Sequence, residues 1–162
     1  MKPYLLALGL AALPVAATAQ SQIERLEATS EATSENMFAL MVNEITAGGA
    51  DPAPIRAAIP DMTWDDEMRA AGVCMLEHYT DILGEAGVDE MLDAMDALSA
   101  EVAELVETGG MASDMADAAD MMPEGLSTEQ SIQITQDCGM IDIQMRRMSA
   151  SGFNAAMMEA MQ

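Results

Sequence analysis

The sequence predicts an all-α fold: a small antiparallel bundle of four to five helices stapled by one disulfide. Three observations predict it. Apolar residues recur at three- and four-residue spacing along most of the chain. Ala, Met, Leu and Glu are abundant, whereas aromatics are only 3% of residues, a balance that favours helix over strand. The periodic segments are separated by Gly and Pro, where helices stop. With so few rings, Met, Leu, Ala and Ile must fill the core. The 18 methionines suit that task, because an unbranched thioether adapts to irregular gaps.

The first residues read as an export signal. Lys2 gives a positive start, and Tyr4 to Val15 is an apolar run too short to span a bilayer comfortably. Ala17-Thr18-Ala19 then has the A-x-A form of a cleavage site. The expectation is a signal peptide over 1–19, removed on export, and one helical domain over 20–162, long enough for a single core. No cysteine follows the site, so lipid attachment there is not expected. The expected location is periplasmic or secreted, where disulfides persist.

Loss of Lys2 with the signal leaves five arginines against 28 acids, a net charge of −23. Such a chain repels nucleic acid and anionic membrane surfaces and attracts cations or basic partners. High solubility is the ordinary consequence of such a charge.

The first helix is expected over about 22–47. Ile23, Leu26, Met37, Leu40, Met41 and Ile45 share one broad face. Its opening half carries a tandem Glu-Ala-Thr-Ser at 27–30 and 31–34, the pattern of a polar solvated helix or a frayed arm. Gly48-Gly49 ends it. Asp51-Pro52-Ala53-Pro54 and Pro60 then predict a stiff, extended connector. The second helix is expected to start with Thr63 as cap and Asp66 and Glu67 in its first turn. Trp64, Met68, Ala71, Met75, Tyr79 and Ile82 form its stripe, and Gly84 and Gly87 punctuate its end. The third, over about 88–107, buries Met91, Leu92, Met95, Leu98, Val102, Leu105 and Val106, with acids opposite. Gly109-Gly110 stops it.

Residues 111–126 read as a flap or linker. Met111, Met115, Met121 and Met122 give it an apolar side, while Asp114, Asp117 and Asp120 keep it acidic. A connection that long inside a compact bundle is usually functional or disordered. The fourth long helix begins with Ser127 as cap and Gln130 at the capping-box position. Ile134, Cys138, Ile141, Met145 and Met148 make its stripe, with Arg146 and Arg147 pointing away. Gly152 separates a last short segment, 153–161.

Cys74 and Cys138 are the only cysteines. In an oxidising compartment they are expected to form a disulfide. The same residues admit a zinc reading. His78 and Asp142 each lie one helical turn after a cysteine, so Cys74, His78, Cys138 and Asp142 have the residue types of a tetrahedral site. A hydrogen-bonded core histidine and a structural disulfide are the commoner outcomes. Methionine clusters at Met111, Met115, Met121 and Met122, and at Met157, Met158 and Met161, admit soft-metal binding to copper; core filling is the commoner role.

No paired Glu-x-x-His, C-x-x-C-H, calcium loop, G-x-S-x-G or phosphate loop occurs. With a single histidine, no catalytic constellation is expected, nor any cofactor. The functional expectation is therefore a non-catalytic helical module that binds an envelope protein or a small apolar ligand. The alternative is a copper- or zinc-handling protein of the same compartment.

Overall fold

A computed structural model describes residues 15–111 and 123–160, with side chains from residue 21 onward. The fold is all-α, with no strand among the described residues. Six helices follow in order: α1 (Val15–Ala47), α2 (Ala53–Ala58), α3 (Asp66–Thr108), α4 (Thr128–Asp137), α5 (Met140–Ser151) and α6 (Phe153–Ala160). Among the described residues no helix is long and apolar enough to cross a membrane. Of the segment read as a flap, Met111 and 123–126 are described; Met115, Met121 and Met122 lie outside the described residues, as does Met161.

The segments expected as second and third helices form a hairpin within α3. Gly84, at φ 71° and ψ 169°, interrupts the helix and divides it into arms 66–83 and 85–108. The arm directions follow from their partners on α1. On the first arm, the order reverses: Glu27 meets Arg69, and Glu31 accepts the Trp64 backbone N–H at 2.6 Å. On the second arm the order is kept. Gln22 donates to Asp89 at 2.8 Å, Arg25 bridges Asp93 and Asp96, and Thr29 donates to Asp96. Thus α1 runs antiparallel to the first arm and parallel to the second.

These contacts explain why the polar opening half of α1 is neither solvated all round nor frayed. Glutamates at 27 and 31 are one turn apart and face the first arm, while Gln22, Arg25 and Thr29 face the second. Asp96 is held below the ordinary aspartate range, chiefly by the Thr29 hydroxyl and further by Arg25, against the opposing effect of burial. Glu27 Oε2, although buried, lies beside the Arg69 guanidinium.

Four local expectations are corrected. Residues 51–60 contain the helical turns of α2, because Pro52 and Pro54 occupy positions where a helix start needs no N–H donor. The cap of α3 is Asp65, not Thr63; its carboxylate accepts the Met68 N–H at 2.9 Å. Ile82 is 43% exposed, since the stripe ends where the hairpin turns. The fourth long helix is broken at Gly139, which has φ 78°. The break shifts the helical phase: α5 buries Met140 and Ile143, while Met145 is 57% exposed.

That phase shift also turns Arg147 inward. Its guanidinium donates to the carbonyls of Asp61 (3.0 Å) and Thr63 (2.7 Å) and pairs with Asp65 at 2.7 Å. Arg146 remains exposed and reaches Glu67 at 2.6 Å. Arg147 therefore clips α5 to the entry of α3. Asp65 is held below the ordinary carboxylate range first by the Met68 N–H and then by Arg147.

Two cores result. The larger gathers Ile23 and Leu26 of α1, both arms of α3, Leu126, Ile134, Met140 and Ile143. The smaller lies at the far end of α1, where Val42, Ile55 and Phe153 are buried with Phe38 and Met157 around them. Phe38 and Phe153 meet edge-to-face, with centroids 5.1 Å apart.

Candidate functional site

A partly open cavity of about 370 Å³ lies beside the larger core, between α1, both arms of α3 and the α4–α5 pair. Five methionines line it: Met68, Met75, Met91, Met95 and Met140. Leu26, Leu98, Leu126 and the Trp64 indole complete most of the apolar wall. Among the described residues, no Asp, Glu, Lys, Arg or His faces it. Polar groups come from Ser30 and Ser34 on α1, and from Tyr79, Ser131, Thr135 and Gln144 on the opposite side. The Tyr79 and Ser131 hydroxyls are 3.1 Å apart, within hydrogen-bond distance.

Local sequence explains how these side chains arrive. Tandem Glu-Ala-Thr-Ser repeats with the four-residue spacing of a helical face. Its glutamates consequently face the first arm of α3, and its serines, Ser30 and Ser34, face the cavity. Trp64 precedes the Asp65 cap, and its ring packs where Gly72 leaves room. A Cβ added at Gly72 would stand 2.4 Å from Trp64 Cζ3 and 2.9 Å from Ile23 Cδ1. Trp64 is buried, and its Nε1–H has no hydrogen-bond partner among the described residues. A buried indole donor normally finds one.

Sequence reading placed Trp64, Met75 and Tyr79 on one stripe and treated them as core. The cavity was not legible there. The one available signal is the serine repeat at 30 and 34, in a segment whose sequence has the pattern of a polar solvated helix or a frayed arm.

A second cluster lies across the outer joint of α3 and α4. Cys74 and Cys138 form a disulfide, with S–S 2.02 Å and Cα–Cα 5.7 Å. His78 is exposed one turn after Cys74. Its imidazole nitrogen and both sulfurs lie within 4.8 Å of one another. Asp142 does not join them. The Gly139 break removes the continuous helix that would have stacked it one turn beyond Cys138. Instead Asp142 is exposed and borders an open depression with Cys138, Glu67 and Arg146. Of the methionines read as soft-metal candidates, Met157 packs in the smaller core and Met158 is exposed.

The fold and these two features define a disulfide-stapled helical bundle with a partly open, methionine-lined cavity. No protein family, curated protein or solved structure was found to match the chain.

Proposed function

We propose that the chain is a non-catalytic helical module of the periplasmic or secreted space that holds a small, neutral, apolar ligand in its cavity. The observation that carries this reading is the wall: among the described residues, five methionines and an indole, without an ionised side chain, around about 370 Å³. That volume falls in the range of small-molecule sites, which are mostly apolar with a few polar groups that fix orientation. Methionine walls adapt to ligands of varied outline. A strongly acidic chain whose described cavity lining is uncharged disfavours anionic ligands.

Trp64 is the single tryptophan, so its emission reports on the cavity directly. Titration with a neutral solvatochromic dye such as Nile red should show saturable one-to-one binding and a change in Trp64 emission. Ala94 lines the cavity, and Ala94→Leu should fill part of it, weakening dye binding at least tenfold while helicity is retained. Non-saturable dye uptake, or binding unchanged in Ala94→Leu, would refute the ligand reading. Co-purification of a stoichiometric protein partner would then favour a docking role.

A further inference from the structure

We propose that the Cys74–Cys138 disulfide and His78 form a redox-gated metal site, closed when oxidised and selective for a thiophilic divalent ion of the zinc class when reduced. The inference is independent of the cavity, which lies on the inner side of the same helices. Three soft or borderline donors converge here from two elements: Cys74 Sγ and the His78 imidazole from the first arm of α3, and Cys138 Sγ from the end of α4. Two thiolates and one imidazole make the donor set of a zinc centre with one open position.

The distances suit the exchange. Tetrahedral coordination with Zn–S of about 2.3 Å separates two thiolate sulfurs by about 3.8 Å. The Cα atoms of Cys74 and Cys138 are 5.7 Å apart, so side-chain rotation after reduction brings both thiolates to one ion without requiring the two helices to part. His78 is exposed, so its ring is free to turn toward the ion. The depression beside Cys138, bordered by Glu67, Asp142 and Arg146, gives water access to the fourth position.

The chemistry balances with a dithiol reductant. Its two thiols are oxidised to a disulfide, and the Cys74–Cys138 bond accepts two electrons and two protons to give two thiols. Binding of the ion then releases both thiol protons and forms two metal–sulfur bonds and one metal–nitrogen bond. Thiol–disulfide exchange with a disulfide oxidant, which takes up the two electrons and two protons and leaves as two thiols, re-forms the Cys74–Cys138 bond and expels the ion, because disulfide sulfurs are no longer thiolate ligands. The gate thus couples metal affinity to the thiol–disulfide balance of the compartment.

Cobalt(II) titration of the full chain tests this, with a phosphine as reductant because thiols compete for the metal. Reduced protein should take up one equivalent with thiolate-to-cobalt charge-transfer absorption and tetrahedral ligand-field bands, and zinc should displace the cobalt. Oxidised protein should show neither band. His78→Ala, a change at an exposed position, should weaken cobalt binding at least tenfold, the scale on which lost site interactions act. Far-UV circular dichroism follows helicity throughout.

Equal, featureless binding by both redox forms would mean that the surface carboxylates alone hold cobalt, and would overturn the proposal. So would unchanged affinity in His78→Ala, or a reduced chain that loses helicity and does not regain it with cobalt.

Discussion

Replacing both cysteines by alanine removes the covalent link between the first arm of α3 and the end of α4. The sequence separation is 64 residues, so the bond closes a ring that includes the second arm of α3 and all of α4 in the unfolded chain. In the chain-entropy account, a ring of that size restricts the unfolded ensemble by about 4 kcal/mol at 25 °C. For a domain of about 140 residues, unfolding entropy near the midpoint is about 0.3 kcal/mol per kelvin, so the melting temperature should fall by about 13 °C. Alanine avoids burying a hydroxyl at Cys138, which packs partly against the larger core. Urea unfolding followed by circular dichroism and Trp64 emission measures the loss. The slope against urea should also rise, because an unlinked denatured chain is less compact. A loss under about 1 kcal/mol with an unchanged slope would refute the entropic account. Two alkylatable thiols in the native protein isolated without reductant would refute the bond itself.

Three further perturbations probe the hairpin, the cavity wall and the α1 ladder. Gly84→Ala should lose about 1–3 kcal/mol in urea unfolding, because φ 71° and ψ 169° lie in a region essentially reserved for glycine. An added Cβ meets nothing within 4 Å, so a neutral result would mean that the turn relaxes to another conformation. Gly72→Ala drives a methyl into the Trp64 ring and should lose about 1–3 kcal/mol by overpacking, with a shift in Trp64 emission; unchanged emission and stability would contradict the packing. The lowered Asp96 value sets a pH dependence. Its contribution is present above the unfolded aspartate value of about 4 and is lost as pH falls through the lower folded value. Thr29→Val removes the first cause of that shift, so the mutant should be less stable than the parent at pH 6, with the gap narrowing as Asp96 becomes protonated in the folded parent. A gap independent of pH would assign Thr29 a packing role only.

Helix identity was legible wherever apolar spacing and end signals agreed. Residues 88–107 form the second arm of α3, and the Ser127–Gln130 capping box is present as the sequence implied. Legibility failed where a single glycine decided the phase. Periodicity carried through Gly139 put Met145 inside and Arg147 outside, whereas the left-handed residue rotates α5 and reverses both. It failed again at the Glu-Ala-Thr-Ser repeat, because a polar face reads as solvated unless its partners are known. Asp89, Asp93 and Asp96, which meet Gln22, Arg25 and Thr29, lie about 70 residues away in sequence. For the candidate sites, the cysteine pair was legible from count and from the compartment the N-terminal residues lead one to expect, and His78 from its spacing. The cavity was not.

The sequence by itself determined the all-α class, the positions of the stops and caps that divide the chain, and the pairing of its only two cysteines. These follow from local propensity, from backbone restrictions at Gly and Pro, and from elimination. Tertiary structure alone decided the direction of each arm, the exclusion of Asp142 from the Cys–His cluster, and the methionine-lined space beside Trp64. Each depends on where side chains distant in sequence come to rest. A periodic stripe states which residues leave water, but not whether their partners fill the space between them.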